Sequence, residues 1–256
     1  MQDRTERFSI IFKRNLHLMT ITPTHHRPKD ETVAVTRDVH TVSTQTAANP
    51  ITCAAAYCDS MKRKQILDGA RAVFLRDGFD GASMNDITRA AGVSKGTVYA
   101  YFRSKESLFE TLIREDRSAQ VAQVFVLDMK TADPADILFH LGMQLARIIA
   151  DPDTLAQLRI VIGVASKFPN IGEAFFEAGP LAGKAHLADY FAQLHLSGAL
   201  HIADTTRAAS HFIELCRSDL LMRGLLKISP MPDTAEMETR IRDAVSVFLK
   251  AYKSAP

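Results

Sequence analysis

Between Ser94 and Lys105 the chain sets out hydrogen-bond donors at close spacing: Ser94, Lys95, Thr97, Tyr99, Tyr101, Arg103 and Lys105, with Gly96 among them. Hydroxyl and ammonium groups arrayed this way suit phosphate oxygens, and the free N–H groups at the start of a short helix add attraction for an anion. Gly96 has no side chain, so the same helix could approach a bulky partner closely. Upstream, Lys62, Arg63 and Lys64 form a basic arm able to reach a phosphate backbone. The chemistry implied is anion recognition along an extended polyanion.

Other chemistry finds little support. No nucleophile stands beside a base, and no metal-ligand cluster or phosphate loop is visible. Gly92–Thr97 (GVSKGT) has the residues of a phosphate loop in the wrong order, and no strand precedes it. His140, His186, His195, His201 and His211 share no i, i+3 or i, i+4 pair, so no metal site preformed on one helix is expected. The expectation is therefore not an enzyme, with no catalytic residues, no metal and no cofactor. Cys53, Cys58 and Cys216 cannot staple a small secreted fold and point to a reducing, intracellular compartment. Cys216, beside Phe212, Leu215 and Leu220, reads as a buried structural thiol.

The elements that must position the donors are helices. In 62–77 the apolar residues Ile66, Ala70, Val73 and Phe74 share one helical face, and Gly78 stops the helix. Ser83 is a candidate N-cap for a short helix through Ala91, with Asp86 in its first turn. Gly92 ends it and Ser94 caps the next, so the two helices cross sharply, as in a helix-turn-helix. In 95–102, Val98 and Phe102 face inward, leaving Lys95, Gly96, Thr97 and Tyr99 outward. Ser104 caps a longer helix with Leu108, Phe109, Leu112 and Ile113 as its stripe. The expected DNA-contacting set is Lys62, Arg63, Lys64, Ser83, Ser94, Lys95, Gly96, Thr97, Tyr99, Tyr101 and Lys105.

Beyond residue 128 a second, all-helical block is expected. Helices open at Pro134 and Pro152, Pro and Gly residues break the middle, and two long amphipathic helices close the chain at about 204–226 and 234–252. Residues 1–60 are Thr-rich, broken by Pro23, Pro28 and Pro50, and read as a disordered tail: a regulatory or anchoring extension, or residues preceding a true start at Met61. No run of about 18 apolar residues exists, so a soluble, cytoplasmic protein with no membrane partner is expected. Net charge is +2 overall, but residues 61–117 carry 11 basic and 8 acidic side chains while 118–256 carry 13 and 15. The near-neutral total thus conceals a basic N-terminal unit.

The run SMNDITRAAGVSKGTVYAYFRSKESLFETLI (83–113) resembles the DNA-binding domain of TetR-family transcriptional regulators. That resemblance implies an all-α homodimer placing the helix 95–101 in the major groove of a palindromic double-stranded DNA operator. By motif position, Lys95, Thr97, Tyr99, Tyr101 and Lys105 would contact DNA, largely phosphates; Ala100 departs from a slot that often holds His or Tyr. RIVIGVASKFPNIGEAFFEAGP (159–180) and CRSDLLMRGLL (216–226) resemble the AefR-like branch. The resemblance implies a DNA-binding unit at 61–117 and an effector and dimerisation domain at 118–256, dimerising through its last two helices. A ligand-responsive regulator, a repressor associated with the bacterial nucleoid when DNA-bound, follows from it. The rival is a small-molecule-binding or protein-interaction module of the same fold without sequence-specific DNA binding. A hydrophobic effector would lie among Phe139, Met143, Phe168, Phe175, Phe176 and Met222, which mix aromatic and flexible apolar surface near the Pro and Gly breaks.

Overall fold

The computed structural model describes residues 50–125 and 133–252, with side chains from Cys58 onward. Among them the chain forms eleven α-helices, one π-helical turn and no β-sheet. Most of the expected tail lies outside the described residues. Its boundary near Met61 is corrected, because α1 runs over Pro50–Gly81. Pro50 suits a first helical position, and Ala54, Ala55 and Ala56 are strong helix formers. Near its end Gly78 leaves helical geometry (φ 72°), a conformation glycine takes without a Cβ clash.

α2 (Met84–Ala91), α3 (Lys95–Tyr101) and α4 (Lys105–Val124) follow, each begun by the expected serine. The hydroxyl oxygens of Ser83, Ser94 and Ser104 accept from the backbone N–H groups of Asp86, Thr97 and Ser107 at 3.2, 3.1 and 3.2 Å. Gly92 closes α2 in the left-handed region, with φ 62° and ψ 35°. Ile66, Val73 and Phe74 of α1 bury against Ile87, Val98, Phe102 and the α4 stripe. Phe79 folds back as expected, and the Phe74, Phe79 and Phe109 ring centroids lie 4.6 to 6.0 Å apart. This core seats α3 from beneath through Val98 and Phe102.

The second block comprises α5 (Pro134–Ala150), α6 (Pro152–Val164), α7 (Pro169–Phe176), a π-helical turn (Glu177–Leu181), α8 (Ala182–Leu196), α9 (Thr205–Arg217), α10 (Leu220–Leu225) and α11 (Thr234–Tyr252). Pro180 sits inside the π turn, where its missing N–H removes an α-helical hydrogen bond. The single long helix expected at 204–226 is two: Ser218 adopts φ 42° and turns the chain between α9 and α10. Phe191, Phe212 and Phe248 pack centrally, and Gly142 lets α5 approach α11, since a Cβ there would meet Ile241 Cγ2 at 2.7 Å.

The two blocks are not independent. Val161, Val164 and Ile171 complete the core beneath α1–α4, and the expected division at 117/118 falls inside α4. Cys216 is buried, and burial pushes its thiol up to about 12. At pH 8 the native protein should therefore leave Cys216 unmodified by iodoacetamide, while exposed Cys58 is alkylated; peptide mass spectrometry before and after denaturation checks this.

Candidate nucleic-acid interface

α3 has a buried underside and an exposed outer face. Val98 and Phe102 are buried to 0% and 4% accessibility, whereas Lys95 and Tyr99 are exposed and Thr97 is half-buried. Lys95 Nζ lies 5.9 Å from the Tyr99 ring centroid, so the two donors occupy one patch. An added Cβ on Gly96 would meet nothing closer than Ser94 Oγ at 3.9 Å. No internal packing demands a glycine there, and the position is exposed. Ser94 Oγ also lies 2.7 Å from Thr97 Oγ1, a hydroxyl pair at the helix start.

Several of the expected contacts are committed elsewhere. Ser83 Oγ donates to Asp86 Oδ2 at 2.5 Å while accepting from the Asp86 N–H. It serves α2 as a cap rather than presenting a free donor. Lys105 Nζ donates to the carbonyls of Phe79 and Ala82 at 2.6 and 3.0 Å and lies 4.5 Å from the Phe79 ring centroid. It ties the α1–α2 turn to α4, and its reach toward a phosphate is restricted accordingly. Tyr101 donates to Asp59 Oδ1 at 2.5 Å. Lys62, Arg63 and Lys64 belong to α1 and are not an arm preceding it. Arg63 turns inward, paired with Glu115 and 5.7 Å from the Phe102 ring centroid, while Lys62 and Lys64 stay exposed. Lys64 is paired with Asp68 at 2.6 Å. Exposed Arg103, just beyond α3, joins the cationic surface.

Two residues that matter here carry no chemical signal in sequence. Gln65 Nε2 donates to the Ala91 carbonyl at 2.7 Å, holding the end of α2 on α1. Gly69 lies against Ala91, where a Cβ would stand 2.6 Å from the backbone nitrogen.

A cavity of about 580 Å³ opens among α4–α10, lined by apolar groups including Val124, Phe125, Leu158, Phe175 and Phe176. Of the six expected pocket residues only Phe175 and Phe176 line it. Phe139 lies beneath Arg242, 4.8 Å from centroid to guanidinium, facing α11. Met143 is buried in the bundle core. Phe168 packs on Phe79 at 5.4 Å, and Met222 points to solvent at 59% exposure. Spacing identifies apolar residues but not which of two packed faces they join.

From the cavity wall a polar chain leads back to α1. Arg117 Nη2 donates to Gln157 Oε1 at 2.5 Å, Gln157 Nε2 to Asp116 Oδ2 at 2.6 Å, and Arg71 grips Asp116 through Nη2 and Nε at 2.5 and 3.1 Å. The Asp116 carboxylate raises the Arg71 guanidinium against the opposing effect of burial, with Asp68 adding to it.

Residues 66–112 match the family model described as bacterial regulatory proteins, tetR family, and residues 136–254 match that of the AefR-like transcriptional repressor C-terminal domain. The HTH-type transcriptional repressor AcnR of Corynebacterium diphtheriae is 37% identical over 81 residues, 32% of this chain and 42% of that protein. The chain therefore spans less than half the length of the curated relative it matches. Among solved structures, a TetR-family transcriptional regulator of Mesorhizobium loti aligns with TM-score 0.72 and 29% identity, covering 76% of this chain and 98% of that one. The flavonoid-responsive regulator FrrA aligns with TM-score 0.67 and 29% identity, covering 77% and 100%.

Proposed function

Because the chain belongs to the TetR family of transcriptional regulators, we propose that it is a ligand-responsive repressor that binds a palindromic operator as a homodimer and is released by a small-molecule effector. The observation that carries this reading is α3 itself. Its outward Lys95, Thr97 and Tyr99 surround an unfilled Gly96, on a helix locked from beneath by Val98 and Phe102. Such a face, on a helix narrow enough for the major groove, positions donors against phosphates and base edges. The cavity, the flavonoid-responsive neighbour and the Arg117–Gln157–Asp116–Arg71 chain support effector control.

Release requires little energy. A tenfold loss of operator affinity needs only about 1.4 kcal/mol of differential effector binding between two conformations. The second subunit would sit on the outer face of α9 and α11, where Leu215 and Val247 are 37% and 53% exposed beside a groove lined by His211, Ala251 and Tyr252. The protein acts in the cytoplasm, where its DNA lies; no described helix is long and apolar enough to cross a membrane.

Mobility shift on the DNA upstream of the chain's own gene tests the reading, and absence of a shift at low salt overturns it in favour of a module that does not read DNA. Lys95→Ala should weaken binding about tenfold and lower the salt slope by about one. Tyr99→Phe should weaken it severalfold at unchanged slope. If both variants bind like the parent, α3 is not the reading helix.

A further inference from the structure

The cavity contains a buried cation that no carboxylate among the described residues pairs directly. Arg117, on α4, is 4% exposed, and although Asp116 and Asp151 lie near enough to favour its charge, neither forms an ion pair with its guanidinium among the described residues. Among the described residues its side chain makes one hydrogen bond, to the neutral Gln157, and its buried Nε finds no acceptor. The Phe175 ring centroid lies 5.2 Å from its guanidinium carbon, and the π turn brings Gly179 onto its stem, where a Cβ would meet Cδ at 3.4 Å. Holding a charge so, with its donors half satisfied, is costly unless something else completes the site.

The rest of the lining has the same sign. Of its ionisable side chains, Arg117, Lys184 and Arg217 are cationic and Glu214 alone is anionic, and Glu214 is already paired with Arg217. Lys184, half-buried on α8, makes no ion pair among the described residues. A largely apolar wall thus holds two positive charges that no carboxylate pairs directly among the described residues.

We infer that the effector is an amphipathic anion: an apolar body filling the cavity and one carboxylate or phenolate head that pairs with Arg117 and Lys184. This rests on the effector reading above and assigns its chemical class. Small apolar cavities with a few convergent polar groups orient ligands in this manner, and a charge-assisted pair to a guanidinium is among the stronger contacts available.

Three probes of equal chain length separate the possibilities on the full-length protein: decanoate, decan-1-ol and decylamine, followed by calorimetry and by release of labelled operator DNA. Decanoate should bind at least about tenfold more tightly than decan-1-ol, and decylamine should bind least. Arg117→Gln should remove the preference for the acid, Arg117→Lys should restore much of it, and Lys184→Gln, a position remote from the cores, should reduce it about threefold. Equal or tighter binding of the alcohol or the amine overturns the anionic class while leaving an effector cavity standing. Unchanged decanoate affinity in both Arg117→Gln and Lys184→Gln also overturns it. If no probe binds, both the anionic class and the cavity as the effector site fall.

Discussion

Gly69→Ala is expected to destabilise the protein by about 2 kcal/mol and to weaken operator binding by at least about tenfold. The new Cβ would stand 2.6, 2.7 and 2.8 Å from the backbone nitrogen, Cα and Cβ of Ala91. These atoms are not the yielding tip of a flexible side chain, so α1 and α2 must separate. Ala is the better helix former by about 1 kcal/mol, which offsets only part of the clash. Separation also pulls Gln65 from the Ala91 carbonyl and moves the Gly92 turn from which α3 departs. Urea denaturation and fluorescence anisotropy with operator DNA measure the two effects. Gly163→Ala is the opposite-sign control: nothing lies within 4 Å of its Cβ position in α6, so stability should rise by about 0.5–1 kcal/mol with DNA binding unchanged. Parental stability in Gly69→Ala would mean that α1 and α2 are less tightly apposed than described.

The second large effect concerns assembly. The double substitution Leu215→Glu, Val247→Glu should leave the subunit folded, because both side chains face solvent in the single chain, yet should convert the protein to a monomer in sedimentation velocity. Four carboxylates would then meet across the proposed two-fold interface. On the proposed palindromic operator, affinity should fall by about two orders of magnitude, since its two half-sites would no longer profit from linkage. A dimer that survives both charges would move the interface away from α9 and α11.

Sequence signals succeeded where the physics is local. Ser83, Ser94 and Ser104 cap their helices, Gly78 breaks helical geometry near the end of α1 and Gly92 stops α2, because each depends on hydrogen bonds or dihedral angles within about four residues. The inward pair Val98 and Phe102 follows from helical period alone. Donor assignments were less secure: Lys105, Ser83 and Tyr101 have the right chemistry and the right face, but carbonyls of the α1–α2 turn, Asp86 and Asp59 claim their protons. A side chain binds whichever partner the fold brings first, and that partner lies up to 42 residues away.

The N-terminal helix order, its caps and the outward face of α3 were thus determined by the sequence itself, through periodicity and neighbour chemistry. The lining of the cavity among α4–α10 was not. Met143 and Phe175 are both apolar residues at helical spacing, yet one fills the bundle core and the other lines a void. Arg117 lies in a run, REDRSAQ, that reads as a solvated helix face. It is buried because Gln157, Phe175 and Gly179, from three later segments, close over it. Burial of a charge depends on which distant surfaces pack against it, and only the tertiary structure decides that.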